Sequence, residues 1–399
     1  MKIMHIDQHY RYSGGTEQYL LSLTKRLEEL GHEVIVAYGI KSQDPYHVQG
    51  RKEYCIPGIE KVSSFLYRDN SLLKTLTEVI KGENPDVIHV HNVRNFAAIK
   101  RCIDLRPTVR FVHDPTLCCF RDWKLLPDLK RICTKRVGIN CLFTGCLIRY
   151  RETSWSAIAK KHLEIHIHKK LSRIIVASKY MKNLLIQNGI PSEKITILPY
   201  FTSMPPVDSL SYPSNENTIL YVGLIHLVKG VNYLIAALQY VNSDFKAIFI
   251  GQGSYLEDYK RFAKELGLED KVRFLGWVPN VELSSYYQQA SLLVVPSWWV
   301  EAFGIVGVEA MAHARPVIAF NTGGIPDWLV DGETGFLVER GDLQGLAEKI
   351  SLLLENKELA RRMGENGRLK VLRQYQLGTH LDGLIKIYQD CIKGDNDKE

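Results

Sequence analysis

The stretch Leu292-Leu293-Val294-Val295-Pro296-Ser297-Trp298-Trp299-Val300-Glu301-Ala302-Phe303-Gly304-Ile305-Val306-Gly307-Val308-Glu309-Ala310 runs from four apolar residues through Pro-Ser and two tryptophans into a Phe-Gly turn. The apolar run predicts a buried strand over Leu292–Val295, and the segment Val306–Ala314 predicts the helix after it. Glu301 and Glu309 stand eight positions apart. That is slightly more than two helical turns, so Glu301 falls at the entrance and Glu309 along nearly the same face. First-turn N–H groups from Gly304 to Val306 would point toward whatever Glu301 faces, and such a helix start binds phosphate. A ligand with a phosphate in its middle and hydroxyls at both ends fits this pattern, and a sugar nucleotide has that shape. Two glutamates at this spacing also arise by chance. The strand, Pro-Ser and Phe-Gly around them favour a crevice at the carboxyl end of a parallel strand.

Outward from this stretch, strand-like and helix-like segments alternate, the pattern of α/β domains with parallel sheets. In the first half, strands are expected at Lys2–Asp7, Glu33–Tyr38, Asp86–His91, Arg110–His113, Arg173–Ala177 and Lys194–Leu198, with helices at Thr16–Leu30 and Lys179–Asn188. In the second, strands are expected at Thr218–Val222, Phe245–Gly251, Lys271–Leu275 and Pro316–Phe320, with helices at Val231–Tyr240 and Leu343–Asn356. Between them, residues 202–217 hold Pro205-Pro206, Pro213 and several serines without periodicity, and read as a linker. Domains are therefore expected over 1–203 and from 217 onward.

The 399 residues are 45% hydrophobic and 24% charged, enough for two globular cores. No apolar run is long enough for a bilayer, and Met1–Asp7 reads as a strand, so a cytoplasmic protein is expected. Of the charges, 18 Lys/Arg against 6 Asp/Glu fall between Arg94 and Arg173, which leaves the remainder net negative although the whole chain is +7. This basic region, 94–173, suits peripheral contact with an anionic membrane or an acidic acceptor; a merely solvated face is the plainer reading. Without a recognition motif or alternating aromatics, nucleic acid is not expected as a partner.

Five of the eight cysteines lie within 29 positions, Cys118 to Cys146. Cys119, Cys133, Cys141 and Cys146 offer four thiolates for a structural metal, but their spacing lacks Cys-x2-Cys pairs, and reduced thiols are the default expectation. His89 and His91 are read as facing opposite sides of their strand, one of them packing. His162, His166 and His168 are read as a solvated helix.

Gly14-Gly15 stands between the first strand and its helix, where a backbone can approach a ligand closely; a tight turn explains it equally well. Gly251-Gln252-Gly253 follows a strand but lacks the full dinucleotide fingerprint, so NAD-binding domains are not expected. Lys229-Gly230 lies between a strand and a helix, within reach of the anion proposed at Gly304, or as an ordinary surface lysine.

Together with Tyr221-Val222-Gly223, Phe274-Leu275-Gly276, Thr322-Gly323-Gly324, the Asp86–His91 strand and His113-Asp114, these elements fall in the order of a known family. The chain resembles the retaining GT-B glycosyltransferases of group 1, family 4, over nearly its whole length. The resemblance implies two Rossmann-like domains with parallel sheets facing a central cleft. The first, 1–203, would bind the acceptor, the second, 217–373, the nucleotide sugar, and the helix of about 374–399 would cross back onto the first. It implies Glu309 on the donor ribose, Glu301 and His113 at the transferred sugar, and Lys229 with the backbone of Phe303, Gly304, Ile305 and Val306 at the diphosphate. Gly223, Gly251 and Gly253 would line the donor site, Val278 the base, and Gly14 and Gly15 the acceptor and diphosphate. No cofactor or catalytic metal is implied, only a UDP- or GDP-sugar and a sugar or lipid-linked acceptor. The expected activity is a retaining hexosyltransferase of cell-surface polysaccharide, lipopolysaccharide or glycolipid synthesis, cytoplasmic or peripheral on the inner face of the membrane. The alternatives are a related GT-B phosphorylase or epimerase, and a sugar-nucleotide-binding protein with little turnover. One departure favours the last: where the family carries an arginine after Gly223, this chain has Leu224.

Overall fold

A computed structural model of the protein describes residues 1–10, 15–41, 51–62, 69–147, 154–202 and 217–397. Gly14 and nearly all of the expected linker lie outside them. The contacts divide the chain into two units: unit 1 comprises residues 1–122, 133–199 and 378–399, and unit 2 residues 123–132 and 200–377.

Unit 1 carries a seven-stranded parallel sheet of β1 (Lys2–Tyr10), β2 (Glu33–Lys41), β3 (Lys52–Cys55), β4 (Val87–Val90), β5 (Thr108–Val112), β6 (Arg173–Val176) and β7 (Ile195–Ile197), in the order β3-β2-β1-β4-β5-β6-β7. Central strands such as β4 and β5 are buried at every position, and apart from His89, Thr108 and Arg110 they are apolar. Side-chain caps start the intervening helices: Asp69 accepts from Leu72 N–H, Asn95 from Ala98 and Ser178 from Met181. The C-terminal helix Leu377–Asn396 contributes to this unit through buried polar contacts. Tyr388 Oη stands 2.6 Å from His89 Nδ1, and Tyr19 Oη 2.9 Å from His380 Nε2.

Unit 2 repeats the plan with β8 (Thr218–Val222), β9 (Lys246–Ile250), β10 (Val272–Gly276), β11 (Leu292–Val295), β12 (Val317–Phe320) and β13 (Gly335–Val338), in the order β10-β9-β8-β11-β12-β13. In both sheets the order reverses beside the first strand, between β1 and β4 and between β8 and β11. At such a switch point the connections leave in opposite directions and open a crevice at the carboxyl ends of the strands.

β3, β13 and the helix Lys357–Gln374 were not expected. β3 is an edge strand with no apolar alternation, and β13 begins with glycine, so neither carries a strong local signal. The segment Trp123–Ile132, inside the expected first domain, packs with unit 2. Among the described residues no helix is long and apolar enough to cross a membrane.

Candidate functional site

The switch point of unit 2 brings together the loop after β8, ending at Lys229-Gly230, and the loop after β11, carrying Glu301. Lys229 Nζ donates to Glu301 Oε1 at 2.6 Å and lies 4.8 Å from the Trp299 ring centre; Ser297 Oγ donates to the same carboxylate oxygen at 2.6 Å. Burial alone would raise the Glu301 carboxyl, but the Lys229 charge and the hydrogen bonds outweigh it and hold the group below its ordinary value.

The two loops are joined by backbone. Trp298 and Trp299 N–H both donate to Val228 O at 3.0 Å, and Gly230, in the left-handed region (φ 69°), leaves no room for a Cβ, which would fall 1.8 Å from Pro296 O. On the far side, Gly324 N–H donates to Glu301 O at 2.8 Å, and a Cβ on Gly323 (φ 59°) would meet that same oxygen at 2.0 Å. The Thr322-Gly323-Gly324 turn therefore fixes the backbone beneath Glu301.

Gly304 takes φ 88° and starts the helix Ile305–Ala312, with no side chain capping it. Its first-turn N–H groups therefore have no side-chain cap. Phe303 O accepts from Trp328 Nε1 at 2.5 Å. Further along the helix the wholly buried Trp328 ring covers Gly307, where a Cβ would meet it at 2.0 Å. Two residues beyond, Glu309 is buried and accepts from Tyr287 Oη at 2.9 Å; burial raises its carboxyl, only partly offset by that bond. His313 donates from Nδ1 to Glu309 O at 2.8 Å, which leaves its Nε2 to accept from Ser284 Oγ at 2.9 Å.

The other expected donor-site glycines are occupied by structure. Gly223 N–H donates to Ile250 O and Gly251 N–H to Gly276 O. A Cβ on Gly251 would fall 1.8 Å from Gly223 O, and one on Gly253 2.0 Å from Ile225 O. These glycines let the loops after β8 and β9 touch, and do not leave free N–H groups at 223 and 251. Val278 lies in the loop after β10, beside the exposed Trp277. Leu224 is 52% exposed. Gly15 opens the helix Gly15–Glu29, where a Cβ would meet nothing within 4 Å, so packing does not require a glycine there.

Tyr287, Trp328 and the strap Trp123–Ile132 are not singled out in the sequence, where Ser297 and Trp299 belong to the crevice pattern without a role of their own. Trp123 stands edge-on to His226 at 5.3 Å, Trp298 Nε1 donates to Leu129 O at 2.6 Å, and Arg340 donates to Trp298 O and Lys130 O. The strap thus rests on loops that follow β8, β11 and β13, all at the carboxyl edge of the sheet. No local signal marks it, because its partners lie about a hundred or more residues away.

In unit 1, His89 and His91 share one face, with ring centres 4.1 Å apart, and both are fully buried. Positions two apart on a strand must do so, which corrects the expectation of opposite faces. His5, paired with His89 across β1 and β4, joins them. These three form the one His/Cys/Asp/Glu group among the described residues with ligand atoms mutually within 4.8 Å. Cys119, Cys133, Cys141 and Cys146 form no such group and no disulfide. His168 is also corrected: it is buried, donating from Nδ1 to Glu164 O and accepting from Arg110, while His162 and His166 are exposed. His113 follows β5, stacked on Phe111 at 4.5 Å, and is partly exposed.

Two parallel-sheet units, each with its switch point, define the class. Residues 208–370 match the family model described as glycosyl transferases group 1, and residues 13–202 match that of glycosyltransferase family 4. The chain belongs to the group 1, family 4-type glycosyltransferases and has the GT-B fold. It is similar to the N-acetyl-alpha-D-glucosaminyl L-malate synthase of Bacillus anthracis, 27% identical over 97% of this chain and 96% of that one. Among solved structures it is similar to the sucrose-phosphate synthase of Thermosynechococcus elongatus, with TM-score 0.74 and 21% identity over 98% of this chain and 99% of that one. It is also similar to Anabaena HepE, solved in complex with UDP-glucose, with TM-score 0.70 and 19% identity over the full length of both.

Proposed function

We propose that the protein transfers a sugar with retention from a nucleoside diphosphate sugar, the donor seated at the switch point of unit 2. The observation that carries this reading is the Lys229–Glu301 pair beside the uncapped helix start at Gly304. In the proposed pose, Glu309 accepts hydrogen bonds from the ribose, and Trp277 and Val278 border the base. Lys229 and the first-turn N–H groups of Ile305 and Val306 meet the diphosphate, while Glu301 orients the sugar. Charge develops on the leaving β-phosphate as the anomeric bond breaks, so preorganised donors there lower the barrier. The departing phosphate takes the acceptor proton on the same face, and no protein nucleophile or catalytic metal is invoked.

His113 is proposed as a contact to the transferred sugar. Gly15, free of any packing need for glycine, leaves room for a ligand at the carboxyl edge of unit 1. A UDP-sugar is the first donor to test, since a neighbour of the same fold was solved with UDP-glucose. The basic region 94–173 favours an anionic or lipid-linked acceptor, as in cell-surface polysaccharide or glycolipid synthesis, with peripheral membrane contact from the cytoplasmic side.

Thermal shifts with UDP-, GDP- and ADP-sugars, followed by NMR of the product anomer, test the reading. A shift with one base and a retained anomer are expected; inversion, or turnover undiminished in Glu301→Ala, overturns it. A second reading, a sugar-nucleotide-binding protein with little turnover, is favoured by Leu224, which leaves the diphosphate one cation short. Tight nucleotide binding without release of nucleoside diphosphate would decide for it.

A further inference from the structure

β1, β4 and β5 are adjacent in unit 1, and three histidines form a chain toward their carboxyl edge. His5 Nδ1 stands 3.0 Å from His91 Nε2, and His91 Nδ1 stands 3.3 Å from His113 Nε2. His5 and His91 are fully buried, and His5 Nε2 has no hydrogen-bond partner. Burial, complete for His5 and His91 and partial for His113, pushes all three rings toward the neutral form, helped by His91 beside His5 and His113, and by the cations Arg51 near His5 and Arg110 near His91 and His113.

A neutral imidazole has one donor nitrogen and one acceptor nitrogen, so both hydrogen bonds must run the same way along the chain. If they ran inward, His113 would donate from Nε2, His91 from Nε2, and His5 would carry its proton on Nε2, buried with no acceptor. If they run outward, His5 donates from Nδ1, His91 donates from Nδ1, and only a bare lone pair is left at His5 Nε2. Orphaned buried N–H groups are rare in folded proteins.

We propose that His91 and His5 are positioning residues for His113: the chain runs outward, His113 accepts at Nε2, and its own proton stays on Nδ1. Toward a ligand His113 then acts as a hydrogen-bond donor from Nδ1, not as a base at Nε2. The consequence for turnover rests on the proposed role of His113 at the transferred sugar; the tautomer itself does not.

The test is proton–nitrogen NMR of the full chain labelled with 15N-histidine, assigned with His113→Ala and His5→Phe. The expected spectrum has a protonated Nδ1 and an unprotonated Nε2 for His113, and an unprotonated Nε2 for His5. A protonated Nε2 on His113 in the unsubstituted protein overturns the proposal. So does a stoichiometric metal ion held by His5, His89 and His91, which would claim the lone pairs of the chain. In His5→Phe, far-UV circular dichroism checks the fold, the His113 signals are expected to shift toward the Nε2-protonated form, and kcat to fall at least ~10-fold with KM for the donor unchanged. An unmoved His113 tautomer in that variant again counts against the chain. Full turnover in His113→Ala, with the tautomer as expected, instead sinks the reading of His113 as the sugar contact.

Discussion

Lys229 is paired with Glu301: its Nζ lies 2.6 Å from Glu301 Oε1, although the two residues are 72 positions apart. The partners are 24% and 8% exposed, so the pair is largely shielded from water and salt. In the proposed pose the diphosphate would share the ammonium with the carboxylate.

Lys229→Met removes the cation and leaves the buried Glu301 carboxylate with the Ser297 Oγ hydrogen bond in place of an ion pair. Breaking a buried pair from one side costs about 3–5 kcal/mol, and losing an oxyanion donor costs about 10²–10³ in rate. The double variant Lys229→Met/Glu301→Gln is expected to regain most of the lost Tm without regaining turnover. Melting curves and donor consumption measured on both variants check this.

The two glutamates are expected to shift stability in opposite directions with pH. Glu301 titrates below its ordinary value in the folded state, so its contribution is present above the unfolded value and lost as the pH falls through the folded one. Glu309 titrates above, so its ionisation costs stability as the pH rises through the raised value. At neutral pH, Glu309→Gln is expected to raise Tm and Glu301→Gln to lower it, each by about 2 °C or more. Both differences should shrink as the pH drops below the carboxylate range. The same Glu309→Gln protein should bind donor nucleotide more weakly, by isothermal titration.

Gly323→Ala places a Cβ 2.0 Å from Glu301 O at φ 59°. The obstacle is backbone and cannot swing away, so a loss of about 1–3 kcal/mol is expected, together with reduced turnover as Glu301 is displaced. Urea denaturation and steady-state kinetics measure the two effects.

Leu224→Arg adds a cation at a 52% exposed position beside the Lys229 loop. Tighter nucleoside diphosphate binding is expected, by roughly tenfold at low salt, with a steeper salt dependence than in the unsubstituted protein. Unchanged affinity would place the missing charge elsewhere.

Trp298 holds the strap through Leu129 O and stacks on Tyr233 at 4.2 Å. Trp298→Phe keeps the stack and removes the hydrogen bond. Amide exchange over residues 123–132 is expected to quicken while β11 and β12 stay protected.

Much of the fold is legible locally. Buried parallel strands such as Leu292–Val295 and Thr218–Val222 announce themselves as apolar runs, and both occur with the bounds expected. Even the shared face of His89 and His91 follows from the period of a strand, and the opposite-face reading missed a signal that was present. β3 and β13 escaped because four residues at a sheet edge, or starting in glycine, carry too little pattern.

The sequence by itself determined the alternation of strands and helices, the Glu301–Glu309 spacing and the open helix start at Gly304, because each depends on residues within a few turns of one another. Only the tertiary structure decided that Lys229 lies on Glu301, that Gly251 and Gly253 accommodate a neighbouring loop, and that Trp123–Ile132 belongs with unit 2. The same holds for the link from His5 through His91 to His113. These depend on strand order and long-range packing, which bring together residues with no local signal for one another.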